Sequence, residues 1–343
     1  MKDSINKATI SKKNMNKAIY PARLKVGDEI RVVAPARSMS IVSKETVEFS
    51  KKRLEDLGFK VTFGKNANLC DDFNSSSIEA RVSDLHDAFK DKNVKMIMPV
   101  IGGFNSNQLL RYLDYELIRN NPKILGGYSD ITALQNAIYT KAGLVIYSSP
   151  GFATFGMKKG FEYAIEYFKK CFMQSESYEI LPSDKWSNDS WWKDQENRVF
   201  ENNPGPITIN DGQAEGTLIG GNLCTLNLLN GTEYMPSLKD SILFIEDDEE
   251  SKIVNFDRNL QSLIHQPGFK GVKGMVIGRF EKASEVSDSL IKQMIKSKRE
   301  LKDIPVIANA DFGHTYPIFT FPVGGRVRIS SKNNKSKIEI LSH

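Results

Sequence analysis

The chain has 343 residues, 40% of them hydrophobic and 26% charged, with a formal net charge of +5. That composition is ordinarily globular and the length suits two domains, which excludes a low-complexity or repeat protein. The lysines are scattered rather than gathered into one stripe, so the mild positive charge gives no ground for a nucleic-acid polymer as partner.

Residues 1–20 are polar and lysine-rich, lack the apolar core of a signal peptide, and read as a disordered leader. No run reaches the ~18 consecutive apolar residues of a membrane span. The cysteines, Cys70, Cys171 and Cys224, are odd in number and far apart, which fits a reducing, cytoplasmic compartment without disulfides. No H-E-x-x-H or C-x-x-C occurs, so neither a metal nor another cofactor is expected.

From 21 to 175 strands and helices alternate. Strands are expected over 29–35, 60–63, 94–101, 123–127 and 144–147. Helices are expected over 44–57, from 76 or 77 to 89, over 105–113, 131–142 and 161–172, with Ser43 as a cap and Gly58 as a stop. This alternation predicts an α/β fold: a parallel sheet covered by helices on both faces. In such sheets ligands sit outside the carboxyl ends of the strands, so loops 34–37, 102–104, 127–130 and 148–151 should share one rim.

Within that rim, Gly126-Gly127-Tyr128-Ser129-Asp130 joins a strand to a helix through a tight turn. A serine there projects from a sharp corner beside the first amides of a helix, where an oxyanion can be stabilised. Only the first glycine of the G-x-S-x-G elbow is present, so a helix cap is the competing reading.

The alternation stops near residue 176. The connection 176–205 is polar and holds all three tryptophans, Trp186, Trp191 and Trp192. It is either a loop packed on the body or a lid whose rings stack on a substrate. A second domain, 206–343, starts with a strand at 216–219, a Gly220-Gly221-Asn222 turn and a helix at 224–229. The continuous apolar run 241–245 predicts a strand buried on both faces, ending at Glu246 in an acidic cluster that extends to Glu250. A helix at 256–264, a strand at 272–277, a helix at 288–298 and a strand at 304–308 lead to Asp311-Phe312-Gly313-His314. Short strands at 319–321, 325–329 and 337–341 finish the chain.

Ser129, Glu246 and His314 each fall just past a predicted strand. A serine needs a base, usually a histidine, and a carboxylate to orient that base, so the three are candidates for a triad. His265 lies at a helix end, His86 on a helix face, and His343 at the terminus. A loop histidine with ordinary partners and a glutamate at the edge of a solvated acidic loop are the competing readings.

Val33-Ala34-Pro35, Gly102-Gly103, Gly127-Tyr128-Ser129-Asp130, Gly220-Gly221-Asn222-Leu223, Ile245-Glu246-Asp247 and Phe312-Gly313-His314 occur in one order along the chain. That ordered set resembles the LD-carboxypeptidase family of serine peptidases, and most closely its microcin C immunity branch. The resemblance implies a catalytic triad of Ser129, Glu246 and His314 and an oxyanion hole from the amides of Gly103 and Asp130. It also implies a flavodoxin-like N-terminal domain, a smaller mixed α/β C-terminal domain, and a homodimer.

The family's murein branch cuts cell-wall tetrapeptides before D-Ala; the immunity branch cleaves the amide or phosphoramidate of aminoacyl- or peptidyl-nucleotides. The long Trp-bearing connection between Ser129 and Glu246 resembles the immunity branch. On that resemblance Trp186 is the base-stacking residue, with Asn222 and Glu281 as further substrate contacts. One departure concerns the run Ile253-Val254-Asn255-Phe256-Asp257-Arg258, where relatives carry a different sequence around the arginine. A reading of another class is a non-catalytic nucleotide- or peptide-binding protein whose glycine loops hold phosphate.

Overall fold

The computed structural model describes residues 18–333 and 335–343. The leader expectation over 1–17 lies outside the described residues. Ile19 already belongs to the fold, because its amide donates to Gly143 O and its carbonyl accepts from Val145 N.

The first half supplies β1 (Glu29–Val33), β2 (Lys60–Phe63), β3 (Val94–Pro99), β4 (Ile124–Gly127) and β5 (Ile146–Ser148). Between and after them run α1 (Lys44–Asp56), α2 (Ile78–Lys90), α3 (Tyr115–Asn120), α4 (Thr132–Ala142) and α5 (Glu162–Met173). The caps follow from local chemistry: the hydroxyls of Ser43 and Ser77 accept from the amides of Thr46 and Ala80. The second half holds β6 (Tyr178–Ile180), β7 (Lys185–Trp186), β8 (Glu201–Asn202), β9 (Ile207–Asn210), β10 (Gly212–Asn222), α6 (Leu223–Asn227) and β11 (Ser241–Glu246). It continues through α7 (Ile253–Ile264), β12 (Val272–Gly278), α8 (Asp288–Lys296), β13 (Val306–Ala310), β14 (Phe321–Val323), β15 (Arg326–Lys332) and β16 (Lys335–Ser342).

The first sheet runs β14-β5-β4-β3-β1-β2. Strands β1 to β5 are parallel, in the doubly wound flavodoxin-like order, and β14 closes the edge antiparallel to β5. The second sheet runs β6-β16-β15-β10-β11-β12-β13-β9, with a parallel centre, β10 to β13, flanked by antiparallel strands. One apolar core joins the sheets: Leu134 and Ile138 of α4 lie in the same cluster as Ile219, Leu223 and Ile245. The joint is tight. Gly220 has φ +141°, and a Cβ there would strike Phe244 O, so only glycine fits. Beside it Asn136 Nδ2 donates to Gly220 O at 2.9 Å, and Asn222 N donates to Thr132 Oγ1 at 2.9 Å.

Two expectations are corrected, and some strands are new. The helix expected over 105–113 is a single 3-10 turn, Ser106–Leu109, and the α-helix starts later, at Tyr115, capped by Asp114. The amides of Asn105 and Ser106 are taken by the Asp130 carboxylate, which fixes this segment to the nucleophile turn. Strand β5 starts at Ile146 rather than 144, since Leu144 forms an isolated parallel bridge with Ile19 instead. Strands β6 to β9 were not expected, because they are short and partly polar. Among the described residues, no helix is long and apolar enough to cross a membrane.

Candidate active site

Ser129 lies two residues beyond the end of β4, after Tyr128, and has φ +62°. A non-glycine residue in the left-handed region carries strain of about 1–3 kcal/mol, held only where surrounding contacts enforce it. Those contacts are present. The Asp130 carboxylate accepts from Asn105 N at 3.1 Å and Ser106 N at 2.9 Å, and Ser106 Oγ donates to Asp130 O at 2.7 Å. Buried Arg81 donates to Pro35 O and Asn105 O, tying the β1 and β3 loops together. The turn is therefore not a helix cap made by Ser129. The side chain of Asp130 instead binds the neighbouring loop.

Gly102 and Gly103 end the β3 loop against this turn. An ideal Cβ on Gly102 would lie 3.2 Å from Ser129 Oγ and 3.6 Å from Asp130 N. The segment thus runs along one side of the serine hydroxyl, close to the amide that opens the following helix.

The second sheet faces the other side. Glu246 ends β11 and is buried rather than solvated. His314 lies in the loop after β13. Its Nε2 is 3.1 Å from Ser129 Oγ, and its Nδ1 is 2.7 Å from Glu246 Oε2. A carboxylate only accepts, so neutral His314 carries its proton on Nδ1 and leaves Nε2 to accept from the serine hydroxyl. Gly313 makes this possible: it has φ +110°, and a Cβ there would lie 2.7 Å from Glu246 Oε2. The other three histidines have partners elsewhere: His86 accepts from Asp114 N, His265 pairs with Gln261, and His343 with Arg23.

The surroundings are acidic. Burial lowers the pKa of His314, but the carboxylates of Glu246, Asp248 and Glu281 outweigh it and hold it at about 9. Burial, partly opposed by His314, pushes Glu281 up to about 7. Burial and the neighbouring Glu246 and Asp248 push Asp247 up to about 7 as well. Among the described residues no group of His, Cys, Asp and Glu side chains is arranged to hold a metal ion.

Trp186 and Glu281 line one pocket of about 580 Å³ together with Asn202, Lys282 and Asn309. The Arg279 guanidinium lies 5.0 Å from the Trp186 ring centroid, and Lys282 Nζ lies 5.6 Å from it. Asn222 lies outside that pocket, in register with Glu246 on the neighbouring strand, and is engaged in the fold. It is buried, its Oδ1 caps α6 by accepting from Thr225 N, and its Nδ2 donates to Asp247 Oδ1.

The sequence pattern of the LD-carboxypeptidase N-terminal domain matches residues 30–149, and that of the C-terminal domain matches 215–329. The chain belongs to the LD-carboxypeptidase family. The crystal structure of an MccF-like protein from Bacillus anthracis superposes with a TM-score of 0.94 at 56% identity, covering 95% of this chain and 100% of that one. Microcin C7 self-immunity protein MccF of Escherichia coli is 32% identical over 93% of this chain and 95% of its own. A structure of MccF in complex with aspartyl sulfamoyl adenosine gives a TM-score of 0.85 at 30% identity, covering 95% of this chain and 99% of that one. A murein tetrapeptide carboxypeptidase of Pseudomonas aeruginosa is more distant, 24% identical over 87% of this chain and 92% of its own.

Two features escaped the sequence reading. Tyr128 and Tyr316 meet with hydroxyls 3.4 Å apart, and the Tyr128 ring lies 5.4 Å from that of His314. Asp311 is the second. Its Oδ2 accepts from Ser183 N at 2.8 Å, and its Oδ1 accepts from Asn203 Nδ2 at 3.0 Å and Arg279 at 3.2 Å. One buried carboxylate therefore holds both ends of the tryptophan connection and the arginine beneath Trp186. Asp311 lies in the Asp-Phe-Gly-His run, but nothing in its spacing tells of partners at 183 and 203.

Proposed function

We propose that this chain is a serine hydrolase that cleaves the amide or phosphoramidate bond between an aminoacyl or peptidyl group and a nucleotide. The observation that carries this reading is the hydrogen-bonded series Ser129–His314–Glu246, with Ser129 on a strained turn at the end of β4. His314 Nε2 takes the hydroxyl proton as Oγ attacks the scissile carbonyl, and Glu246 stabilises the imidazolium. The amides of Gly103 and Asp130 receive the oxyanion. His314 then returns the proton to the leaving nitrogen, and water hydrolyses the acyl-enzyme by the same steps in reverse order. Two tests follow. A fluorophosphonate should form one adduct, at Ser129, and Ser129→Ala should lower kcat by roughly 10⁴-fold or more. A protein that takes no label and turns over nothing would instead be the non-catalytic binding module.

The nucleotide assignment is supported by the Trp186 pocket beside Glu281 and by the aspartyl sulfamoyl adenosine bound in MccF. Base stacking on an aromatic ring is worth about 1–3 kcal/mol, so Trp186→Ala should raise KM for an aminoacyl-adenylate analogue roughly 5- to 150-fold. A murein tetrapeptide has no base to stack. Preference for that peptide, with no effect of the substitution, would place the chain with the murein-cleaving relatives. A homodimer is part of the same reading, and sedimentation equilibrium tests it.

A further inference from the structure

The rim of this cleft carries a cation that the steps above do not use. Arg37 follows β1, two strands beyond β4 in the first sheet. An ideal Cβ on Gly103 would lie 3.1 Å from Arg37 Cγ and 3.2 Å from Arg37 N. Arg37 is thus packed on the same two-glycine segment whose other end faces Ser129 Oγ. Its guanidinium lies 4.9 Å from the centroid of the Phe104 ring, and Phe104 itself is 66% exposed.

Arg37 is half-buried, yet it makes no hydrogen bond or ion pair among the described residues. Other half-buried or buried arginines are engaged: Arg31 with Glu29 and Asp91, Arg198 with Asp189, Arg279 with Asp311, and Arg81 with backbone carbonyls. A guanidinium resting on an aromatic ring still presents a planar fork of donors, matched to a carboxylate. Its position fits a ligand too. The loops after β1 and β3 flank the point where the strand order of a doubly wound sheet reverses, which is where such sheets bind ligands.

Position sets the direction. The second sheet brings Glu281 beside His314 and into the Trp186 pocket, which also holds Arg279 and Lys282. The Arg37 flank is cationic and lies beyond the Gly102–Gly103 segment. A substrate whose nucleotide occupies the Trp186 pocket and whose carbonyl meets Ser129 extends its acyl half toward Arg37. We propose that Arg37, supported by Phe104, is a specificity-determining residue that binds a carboxylate on the acyl half of the substrate. This rests on the hydrolase reading above and names the acyl class that it favours.

The experiment compares aspartyl and asparaginyl adenylate analogues joined by the same hydrolysable bond, on the wild type, Arg37→Gln and Arg37→Lys. A hydrogen bond to a charged group is worth about 1.5–3 kcal/mol, so Arg37→Gln should raise KM for the aspartyl compound roughly 10- to 150-fold. The asparaginyl compound should stay within about threefold, and Arg37→Lys should recover part of the difference. Equal effects on both compounds, or none on either, would overturn the proposal. So would a loss of AMP affinity in Arg37→Gln, since that would assign the arginine to the leaving group's phosphoryl oxygens. Labelling of Ser129 by the fluorophosphonate separates the two levels. Normal labelling of Arg37→Gln with an unchanged aspartyl-to-asparaginyl ratio removes only this assignment, whereas no labelling of the wild type removes the hydrolase.

Discussion

The His314 imidazole must be neutral to take a proton, yet its carboxylate neighbours hold its pKa at about 9. Below that pH most molecules carry imidazolium, so kcat/KM should climb with pH through about 9. Glu281 contributes to the rise once ionised, above about 7. Glu281→Gln removes that negative charge at every pH and weakens the hold on the imidazolium. The midpoint of the climb should therefore move to lower pH, whatever happens to its height. A pH profile of kcat/KM for the variant with an unmoved midpoint would show that Glu281 does not act on His314. The residue types of the hydrogen-bonded series Ser129–His314–Glu246 were legible in the sequence because serine, glutamate and histidine each stood at or just past the end of a predicted strand. What was not legible was the local electrostatics, which depends on Asp248 and Glu281 arriving from different loops.

At the scale of elements, the tryptophan connection is held by one point. Asp311→Ala would leave Arg279 buried beside no carboxylate and free both Ser183 and Asn203. Removing one partner of a buried ion pair costs about 3–5 kcal/mol, a loss that chemical denaturation reads directly. Asp311→Asn keeps the shape and some of the acceptors, so it should cost less. Equal stability of Asp311→Ala and the wild type would show that the connection is held by other contacts, such as the pairing of Ser187 with Tyr316. Strong periodic elements, α1, α2, β3 and β11, were legible from apolar spacing and caps. The connection was not, because its short strands β7 and β8 are polar and exist through partners distant in sequence. The 3-10 turn at Ser106 was missed for a related reason. Its amides go to Asp130 rather than to the next turn of a helix.

At the scale of the molecule, the candidate site is divided between the sheets: Ser129 comes from the first, and Glu246 and His314 from the second. A 1–180 fragment should therefore take no fluorophosphonate label at Ser129, and mass spectrometry of the treated fragment checks this. Such a fragment also lacks β14, the edge strand of the first sheet. The parallel sheet of β1 to β5 could be read from alternating strands and helices, whereas its flavodoxin-like order came only with the family resemblance. The return of β14 to the first sheet could not, since three residues carry no signal of which sheet they join.

That return has a temporal meaning. The chain is made from its N-terminus, and the serine turn is complete long before His314 and β14 have been added. A ribosome-bound chain that stops short of residue 314 carries a nucleophile with no base and a first sheet with an open edge. On the proposed mechanism, hydrolysis therefore begins only once residue 314 has been added, and a chain that ends before it is silent rather than wrongly active.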